Sequence, residues 1–117
     1  MEYMLLIYSS EADGKKMSAA EGHQIFQEYM TFTQDLTKAG KNKGGAPLEQ
    51  TTTATTVRVR NGKTVVTEGA FAETKEQLGG YYLVEAKDLD EAISIAAKIP
   101  GAKHGSIEVR PIMKMNM

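Results

Sequence analysis

Residues 79–112, with the sequence GGYYLVEAKDLDEAISIAAKIPGAKHGSIEVRPI, decide the fold because they predict a strand, a helix and another strand in succession. The segment GGYYLVEA alternates enough to be a central strand. Asp88 can cap the following helix, and Glu91 is a favourable acid in its first turn. Pro100 and Gly101 are predicted to end this helix. Its apolar face is predicted to consist of Leu89, Ala92, Ile93, Ala96 and Ala97.

The flanking segments extend this pattern in both directions. In GSIEVRPI, Ile107 and Val109 alternate with charged residues, which predicts the last strand. The short apolar run of residues 3–8 predicts the first strand, and the polar segment SSEADGKK after it is typical of a turn. Ser18 and Glu21 have the spacing of a capping box, so a helix is predicted from about residue 19 to about residue 39. Its apolar face is predicted to contain Ile25, Phe26, Tyr29, Met30, Phe32 and Leu36.

The middle of the chain predicts a β-hairpin. The segment KNKGGAPLEQ has two glycines and a proline, which favours a loop or an edge strand. TTTATTVRVR is rich in β-branched residues and predicts a strand. Asn61-Gly62 separates it from KTVVTE, and an Asn-Gly pair readily forms a type I′ turn.

The predicted order is strand, helix, strands with an added hairpin, strand, helix, strand. This order matches an α+β ferredoxin-like β-α-β-β-α-β fold with one insertion, in a single domain of residues 1–117. Both helices would cover one face of the sheet. We therefore expect a homodimer in which the other faces pack together, with the C-terminal segment IMKMNM as a further contact.

Composition excludes several classes of protein. Fourteen basic and fifteen acidic side chains give a net charge of −1, which offers no general attraction for nucleic acid or for anionic membranes. The chain has no cysteine, so disulfide scaffolds and thiolate chemistry are excluded, and a reducing interior is compatible. MEYMLLIYSS lacks the pattern of a signal peptide, and no segment is long and apolar enough to span a bilayer. We therefore expect a cytoplasmic protein with neither a nucleic-acid nor a membrane partner.

The stretch EGAFAETKEQLGGYYLVE, residues 68–85, together with MLLIY near the start and DLDEAISIAAKIPGAKHGSIEVRPI, closely resembles the YCII-related proteins. The resemblance covers nearly the whole chain and is strongest to the DGPF subgroup, which is named for a DGPFAETKE-like signature. It implies a ferredoxin-like fold, a dimeric α/β barrel and a bacterial, cytoplasmic protein. Some members are encoded beside extracytoplasmic-function sigma factors. Others are regarded as enzymes because a His and an Asp share a pocket, and one relative resembles a dehydrochlorinase of chlorinated hydroquinone.

This chain departs from the signature, residues 68–76, at two positions. Glu68 stands where the family has Asp, which keeps the carboxylate but lengthens the side chain by one methylene. Ala70 stands where the family has Pro, which frees φ and restores a backbone donor. The remaining positions match: Gly69, Phe71, Ala72, Glu73, Thr74, Lys75 and Glu76.

His23 is the main catalytic candidate, because it lies near the start of the first long helix, about where the family carries its proposed catalytic His. An imidazole can transfer a proton near neutral pH. The alternative is a half-exposed residue at the edge of the apolar face. Asp35 lies about 18 Å further along the same helix, too far to pair with His23. We therefore predict Glu68 as the carboxylate partner of His23.

The predicted ligand-binding residues come mainly from the signature. Phe71 would line an apolar pocket, and Lys75 or Arg110 would hold an anionic substrate; the full predicted set is Phe71, Glu73, Thr74, Lys75 and Arg110. The alternative is a solvated turn of mixed charge. His104 is interpreted as a loop residue, and Lys43-Gly44-Gly45 as a glycine turn. Two histidines without grouped carboxylates are a weak metal signal, so no metal and no cofactor are predicted.

Three functional hypotheses follow from these observations. The first is a small dimeric enzyme of lyase or isomerase type with a pocket between sheet and helix, where His23 is the acid or base for a small aromatic or anionic molecule. The second is a non-catalytic ligand-binding or regulatory module linked to sigma-factor-type transcription control. The third gives the signature a structural role, in which Glu73 shapes the dimer. Removal of His23 would affect ligand binding only under the first hypothesis.

Overall fold

The computed structural model describes residues 1–115, and the last two residues of the predicted contact segment IMKMNM lie outside them. The strands are β1 (Glu2–Ser9), β2 (Asn42–Pro47), β3 (Thr55–Arg60), β4 (Lys63–Glu68), β5 (Gln77–Glu85) and β6 (Ser106–Pro111). The helices are α1 (Glu11–Gly14), α2 (Ala19–Lys38) and α3 (Leu89–Ala97). Short 3₁₀ turns occupy Thr51–Thr53 and Pro100–Lys103.

Four strands form an antiparallel sheet in the order β2-β5-β1-β6. The central strand β1 pairs with β5 on one side and with β6 on the other, so Leu5 lies between Tyr82 and Val109. The strand β2 is an edge strand on β5, one of the two possibilities that the glycines and the proline of this segment left open. The interpretation of Lys43-Gly44-Gly45 as a glycine turn was wrong, because these residues lie in β2, where Gly44 and Gly45 pair with β5. This order and the helical connections confirm the predicted ferredoxin-like α+β fold.

The segment after β1 differs from its prediction as a turn. Residues Glu11–Gly14 form one helical turn, and the Ser10 side chain caps it by accepting a hydrogen bond from the Asp13 amide at 3.1 Å. Four residues are too few to show helical periodicity, which explains why the sequence pattern did not reveal this turn.

The helix α2 begins at its predicted capping box. The Ser18 hydroxyl accepts from the Glu21 amide at 3.1 Å, and the Glu21 carboxylate accepts from the Ser18 amide at 3.3 Å. Its buried face is narrower than predicted: Phe32 is buried, whereas Phe26 is 59% exposed and Met30 is 46% exposed. The predicted face was too broad because the sheet covers only one stripe of the helix.

The helix α3 is capped by Asp88, as predicted, and ends at Ala97 rather than at Pro100-Gly101, which lie in the following 3₁₀ turn. Its buried residues are Ala92, Ile95 and Ala96. The prediction that Leu89, Ile93 and Ala97 belong to the buried face was wrong, because all three are exposed in this chain. Spacing alone did not locate the true face, which is rotated towards Ile95.

The core lies between the sheet and the two longer helices. Tyr3, Leu5 and Ile7 alternate along β1 and point towards the helices, and their neighbours in the core are Phe32, Leu36, Val84, Ala86, Ala92, Ile95, Ala96 and Ile99. The ring of Tyr82 meets Phe32 edge to face at 5.1 Å between ring centres. Its hydroxyl shares a hydrogen bond of 2.7 Å with Thr33. The space between sheet and helices is therefore filled by packed side chains.

The other side of the sheet, which we call the open face, carries apolar side chains that no helix covers. Met4 and Leu6 alternate with the core residues of β1, and they lie opposite Leu83 and Tyr81 of β5. All four side chains are partly exposed. The prediction that the helices leave one face of the sheet uncovered agrees with this arrangement, and the side chains on that face are apolar.

The strands β3 and β4 form a separate two-stranded hairpin, residues 55–68, which we call the arm. Asn61 and Gly62 have φ values of 51° and 74°, as the predicted type I′ turn requires. Across residues 1–115, the arm makes no substantial contact with any other strand or helix. The radius of gyration of 16.3 Å exceeds the value of about 13.4 Å expected for a compact domain of this length, because the arm protrudes.

One ion pair joins the connection between α2 and β2 to the first turn of α3. The Glu91 carboxylate accepts from Lys41 Nζ at 2.7 Å and from the Lys87 amide at 3.0 Å. The hydrogen bond from Lys41, followed by that from Lys87, lowers the pKa of Glu91 below its usual range. The unfolded chain therefore binds this proton more tightly than the folded chain does. The contribution of the ion pair to the free energy of unfolding is complete above about pH 4.3, the ordinary pKa of a glutamate, and is lost as the pH falls through the lower pKa of the folded state.

The Glu91→Gln variant is expected to be less stable than the wild type at neutral pH, and the difference should shrink in acid. The glutamine can keep both hydrogen bonds but loses the charge that depends on pH. Urea unfolding at neutral pH and near pH 3 measures the two differences. Glu49→Gln is a matched control, since Glu49 is exposed and makes no ion pair in residues 1–115. An equal difference at both pH values would contradict the assignment to this carboxylate.

Candidate functional site

The topology gathers several predicted site residues at one end of the sheet. At this end β1 finishes at Ser9, β5 begins at Gln77 and β6 begins at Ser106. The helix α2 starts after the turn that follows β1, so His23 lies towards the same end. The loop of residues 69–76, which we call the signature loop, leads directly into β5. We call this region the signature end.

Hydrogen bonds hold the C-terminal half of the signature loop in place. The Thr74 hydroxyl donates to the Glu76 carbonyl at 2.6 Å. The Glu76 carboxylate accepts from the Ser106 hydroxyl of β6 at 3.0 Å, and the Gln77 side chain accepts from the Glu11 amide at 2.9 Å. Thr74, predicted as a ligand-binding residue, thus uses its hydroxyl as a hydrogen-bond donor within the loop. Sequence reasoning did not identify the contacts of Glu76 and Gln77.

Glu11 fixes the segment that precedes the arm. Its carboxylate accepts from the Thr51 amide at 2.9 Å and from the Thr51 hydroxyl at 2.7 Å. The two residues are 40 positions apart, so no local sequence signal could have revealed this contact. Glu11 thereby links the short helix α1 to the base of the arm.

The candidate base His23 is exposed on α2, and its imidazole makes no hydrogen bond or ion pair in the described part of the chain. Phe26 and Met30, both about half exposed, follow it at spacings of three and seven and so lie on the same side of the helix. Thr33 continues this stripe and contacts Tyr82 of β5. His23 therefore adjoins an apolar stripe on the β5 side of α2, which is a surface suited to an aromatic ligand.

The predicted partner of His23, Glu68, is the last residue of β4 and lies opposite Thr55 at the base of the arm. Its carboxylate is exposed, and within residues 1–115 it forms no ion pair or hydrogen bond with His23. The next residue, Gly69, has a φ of 91°, which favours glycine, and its amide donates to the Ala54 carbonyl at 2.7 Å. The chain thus brings both candidates to one end of the sheet without joining them.

The tip of the signature loop carries the remaining signature candidates. Phe71 is 79% exposed, and Glu73 and Lys75 are also exposed. Neither charged side chain forms an ion pair among the described residues. The ring of Phe71 and the charged groups of Glu73 and Lys75 are therefore available to contact another molecule at this tip.

Arg110 lies away from the other candidates. It is opposite Met4 on β1, on the open face, and its guanidinium is 3.7 Å from the Glu108 carboxylate. Ser9 marks the signature end of β1, five residues beyond Met4, a distance of about 17 Å along the strand. Within one chain, Arg110 and Lys75 are therefore at opposite ends of the sheet.

Two surface hollows formed by residues 1–115 are lined neither by His23 nor by the signature loop. One, of about 400 Å³, lies between α2 and the turn after α3, with Phe32 and Pro100 next to charged residues of α2 and of the segment that follows α3. The other, of about 370 Å³, lies at the end of the sheet occupied by Met1 and Glu85. A pocket between sheet and helix was predicted, and this is corrected: that layer is filled by the core.

Tyr29 is the titratable side chain of α2 whose environment departs most clearly from water. Burial raises the pKa of Tyr29, and the nearby Tyr82 adds to this, while the hydrogen bond from the Gly101 amide, 3.2 Å long, opposes the change. The hydroxyl therefore remains protonated and ties α2 to the turn after α3. His104 lies at the end of that turn, exposed, as its interpretation as a loop residue requires.

The part of the chain that the structure describes contains neither a cluster of metal-binding side chains nor a helix that could span a membrane. In residues 1–115, no cluster of three or more His, Asp or Glu side chains is arranged to hold a metal ion. None of the helices in these residues has the length and the apolar character needed to cross a membrane.

These features define a class of protein before any comparison: an α+β protein of ferredoxin-like topology, with polar and aromatic candidates at one end of its sheet and a hairpin inserted beside them. Residues 1–116 match the YCII-related domain, and the chain belongs to this family. The family part of the resemblance is therefore confirmed, while the assignment to the DGPF subgroup is finer and stays a prediction.

Two similar proteins extend this assignment. An uncharacterized protein of Rhizobium meliloti is 39% identical over 114 residues, which cover 96% of this chain and 92% of the relative. The solved structure of TftG, a 5-chloro-2-hydroxyhydroquinone dehydrochlorinase from Burkholderia phenoliruptrix, covers 97% of this chain and 94% of its own with a TM-score of 0.57. That protein was solved in complex with 2,5-dihydroxybenzoquinone. At 15% identity, the likeness to it is one of fold.

Proposed function

We propose that this protein is a small cytoplasmic homodimer that binds a small aromatic or anionic molecule at its signature end and transfers a proton through His23. The observation that supports this best is the common location of His23 and the signature loop at one end of the sheet. An apolar stripe beside His23 and the exposed ring of Phe71 can contact a planar ring. Lys75, which is free of ion pairs in residues 1–115, can hold an anionic group.

Acid–base chemistry requires the imidazole to be reachable and unengaged, and His23 meets both conditions. Glu68 would orient the imidazole or share its proton once a ligand draws the two together, since catalytic hydrogen bonds often tighten only in the complex. A dimer would close the site, because every candidate side chain of the signature end is exposed in the single chain except the loop-forming residues Glu76 and Gln77. Enclosure excludes water and strengthens electrostatic interactions.

The ligand class takes support from the solved relative. TftG binds 2,5-dihydroxybenzoquinone, a planar ring with acidic hydroxyl groups. An imidazole, a lysine and exposed aromatic side chains are complementary to a molecule of this kind. We therefore propose a hydroxylated or otherwise anionic ring as the class of ligand, and lyase or isomerase chemistry as the class of reaction.

The His23→Ala variant is expected to stay folded and to lose the stabilisation that a ligand gives. With 2,5-dihydroxybenzoquinone as the probe at about one hundred times its dissociation constant, wild-type protein should gain about 2.7 kcal/mol, which raises Tm by several degrees. The shift should largely vanish in His23→Ala. Lys38→Ala is the control, because Lys38 is also exposed on α2 but is its last residue, at the other end of the helix from His23. Thermal unfolding with and without the probe measures these shifts, and equal shifts in all three proteins would refute the role of His23.

A second candidate is a ligand-binding or regulatory module without catalysis, as the sigma-factor association of the family suggests. It is favoured by the lack of any bond between His23 and Glu68, and by the use of Thr74 and Glu76 to shape the loop. Under this alternative the probe binds but is not converted, and His23→Ala binds it as the wild type does. Mass spectrometry of the recovered probe after long incubation separates binding from turnover.

A further inference from the structure

The arm and the signature loop belong to one stretch of chain that leaves the main sheet. Just after β2, the Leu48 amide donates to the Gly79 carbonyl at 2.9 Å. The chain then departs from the sheet and rejoins it at Gln77, the first residue of β5. We call residues 49–76 the outer segment. It contains Glu68 and all ligand-binding candidates of the signature, so pairing in the main sheet does not by itself fix where these side chains lie.

Glu11 is hydrogen-bonded at both ends of the outer segment. Its carboxylate accepts from the amide and from the hydroxyl of Thr51, at 2.9 Å and 2.7 Å, near the start of the segment. Its own amide donates at 2.9 Å to the side chain of Gln77, the residue that follows the segment. Gln77 also donates to the Thr74 carbonyl, so the restraint extends into the signature loop. One residue of α1 therefore holds the two ends of the outer segment.

The carboxylate of Glu11 is the polar anchor at the first end. Within residues 1–115, Thr51 is the one member of residues 49–73 whose hydrogen bonds or ion pairs reach a residue outside that range. Glu11 and Thr51 are both half-buried, and a hydrogen bond to a carboxylate is stronger there than in water. Loss of this contact would therefore release the first end of the outer segment.

We propose that Glu11 is a positioning residue of the candidate site, which holds the outer segment so that its binding groups face His23. This proposal rests on the proposed function, in which those groups and His23 contact the same ligand. The helix α1, which contains Glu11, continues through residues 15–18 into α2, the helix that carries His23. A segment that adopts fewer arrangements is competent to bind for more of the time, and the apparent affinity rises in proportion.

Glu11→Ala is expected to weaken the binding of 2,5-dihydroxybenzoquinone about tenfold or more, because a hydrogen bond to a charged group contributes at least this factor. Titration calorimetry at a temperature where every variant is folded measures the dissociation constants. Asp13→Ala is the matched control. It also removes a carboxylate from α1, and in residues 1–115 this carboxylate has one polar contact, with Lys16 at 4.0 Å. The control should bind the probe as the wild type does.

Two further variants test the contact with Thr51. In Glu11→Gln, the side-chain oxygen can accept from the Thr51 amide, and the NH₂ group can donate to the Thr51 hydroxyl, which is both a donor and an acceptor. This variant should bind the probe more nearly like the wild type than like Glu11→Ala. Thr51→Val keeps the shape of the side chain but removes the hydroxyl donor. It should weaken binding in the same direction as Glu11→Ala, and it replaces that variant if Glu11→Ala does not fold.

Hydrogen exchange examines the outer segment without a ligand. The Ala54 amide donates to the Thr51 carbonyl at 3.0 Å, and the Gly69 amide donates to the Ala54 carbonyl at 2.7 Å, so both amides lie at the base of the arm. In Glu11→Ala these two amides should exchange about tenfold faster, because the turn that begins at Thr51 has lost its anchor. The amides of β1 should keep their rates, and all of these rates should be unchanged in Asp13→Ala.

The outcomes separate this proposal from the proposed function. Unchanged exchange of Ala54 and Gly69 in Glu11→Ala would overturn the proposal. So would a lower free energy of unfolding with an unchanged dissociation constant, which is the result expected of a merely structural contact, or a Glu11→Gln protein that binds as weakly as Glu11→Ala. A wild-type protein that does not bind the probe would count against the proposed function, and faster exchange in Glu11→Ala would still show that Glu11 holds the outer segment.

Discussion

Replacing Gly105 with alanine is expected to destabilise the protein by about 3 kcal/mol or more. Gly105 lies between His104 and the start of β6, and its amide donates to the Gly101 carbonyl at 2.8 Å. A β-carbon here would be driven into the carbonyl oxygen of Tyr8, well inside van der Waals contact. Because the obstacle is backbone of the central strand, no side chain can rotate to relieve it. Strand β6 would have to move away from β1.

Gly22→Ala is the matched control for this prediction. Gly22 lies inside α2, and the space around it is open, so an alanine there should stabilise the protein by about 0.5 to 1 kcal/mol through its higher helix propensity. The same substitution thus has opposite signs at two positions. Urea unfolding followed by far-UV circular dichroism measures both free energies of unfolding. A Gly105→Ala protein as stable as the wild type would show that the backbone at Gly105 does not lie against the Tyr8 carbonyl.

Leu5→Ala is expected to lower the free energy of unfolding by about 3 to 4 kcal/mol. Leu5 is fully buried between Tyr82 and Val109 in the centre of the sheet and faces the helices. The packed neighbours cannot collapse into the space that alanine leaves, because the two adjacent strands hold them in register. The free energy of unfolding of a typical domain is only about 5 to 15 kcal/mol, so this single substitution would remove a large part of it.

Leu6→Ala tests the open face of the sheet, and its effect is compared with that of Leu5→Ala on the face covered by the helices. Leu6 is adjacent to Leu5 but lies on the open face, opposite Tyr81. In the single chain its truncation should cost clearly less than that of Leu5. If two open faces meet, Leu6→Ala should instead raise the dissociation constant of the dimer. Unfolding and sedimentation of both variants give the comparison, and equal losses of unfolding free energy at low protein concentration would count against one-sided burial of the sheet.

Most of the fold could be predicted from short sequence patterns that cap helices or form turns. The capping box of Ser18 and Glu21, the cap at Asp88 and the Asn61-Gly62 turn each act within a few residues, so the sequence shows them directly. Strands with alternating apolar and polar residues were also predictable, and together with the helices they fit only a few topologies. Faces of helices were harder to predict: Phe26 and Ile93 fit the helical spacing but are exposed, because burial depends on where the sheet lies. The separation of the arm from the main sheet likewise depends on pairing between distant segments.

The candidate site was predictable only as a location. The family signature pointed to residues 68–76, and the topology places His23 towards the same end of the sheet. Contacts that shape this end join residues far apart in sequence, such as Glu11 with Thr51 and Glu76 with Ser106. No local pattern encodes such pairs. Alternation along β6 placed Arg110 on the face opposite Ile107 and Val109, but it gave no sign that Arg110 lies at the end of the sheet away from Lys75.

The position of the tyrosines makes near-UV circular dichroism a probe of packing at the main sheet. The chain has five tyrosines and no tryptophan, and four of the five, Tyr3, Tyr8, Tyr81 and Tyr82, lie in the paired strands β1 and β5. The edge-to-face contact of Tyr82 with Phe32 holds one ring in a fixed asymmetric setting, which gives a near-UV dichroism signal. Residues 55–68 contain no aromatic side chain and contribute nothing to this signal. Near-UV melting therefore follows the packing of α2 on the sheet together with the pairing of β1 and β5, and any earlier detachment of the hairpin passes unseen in it.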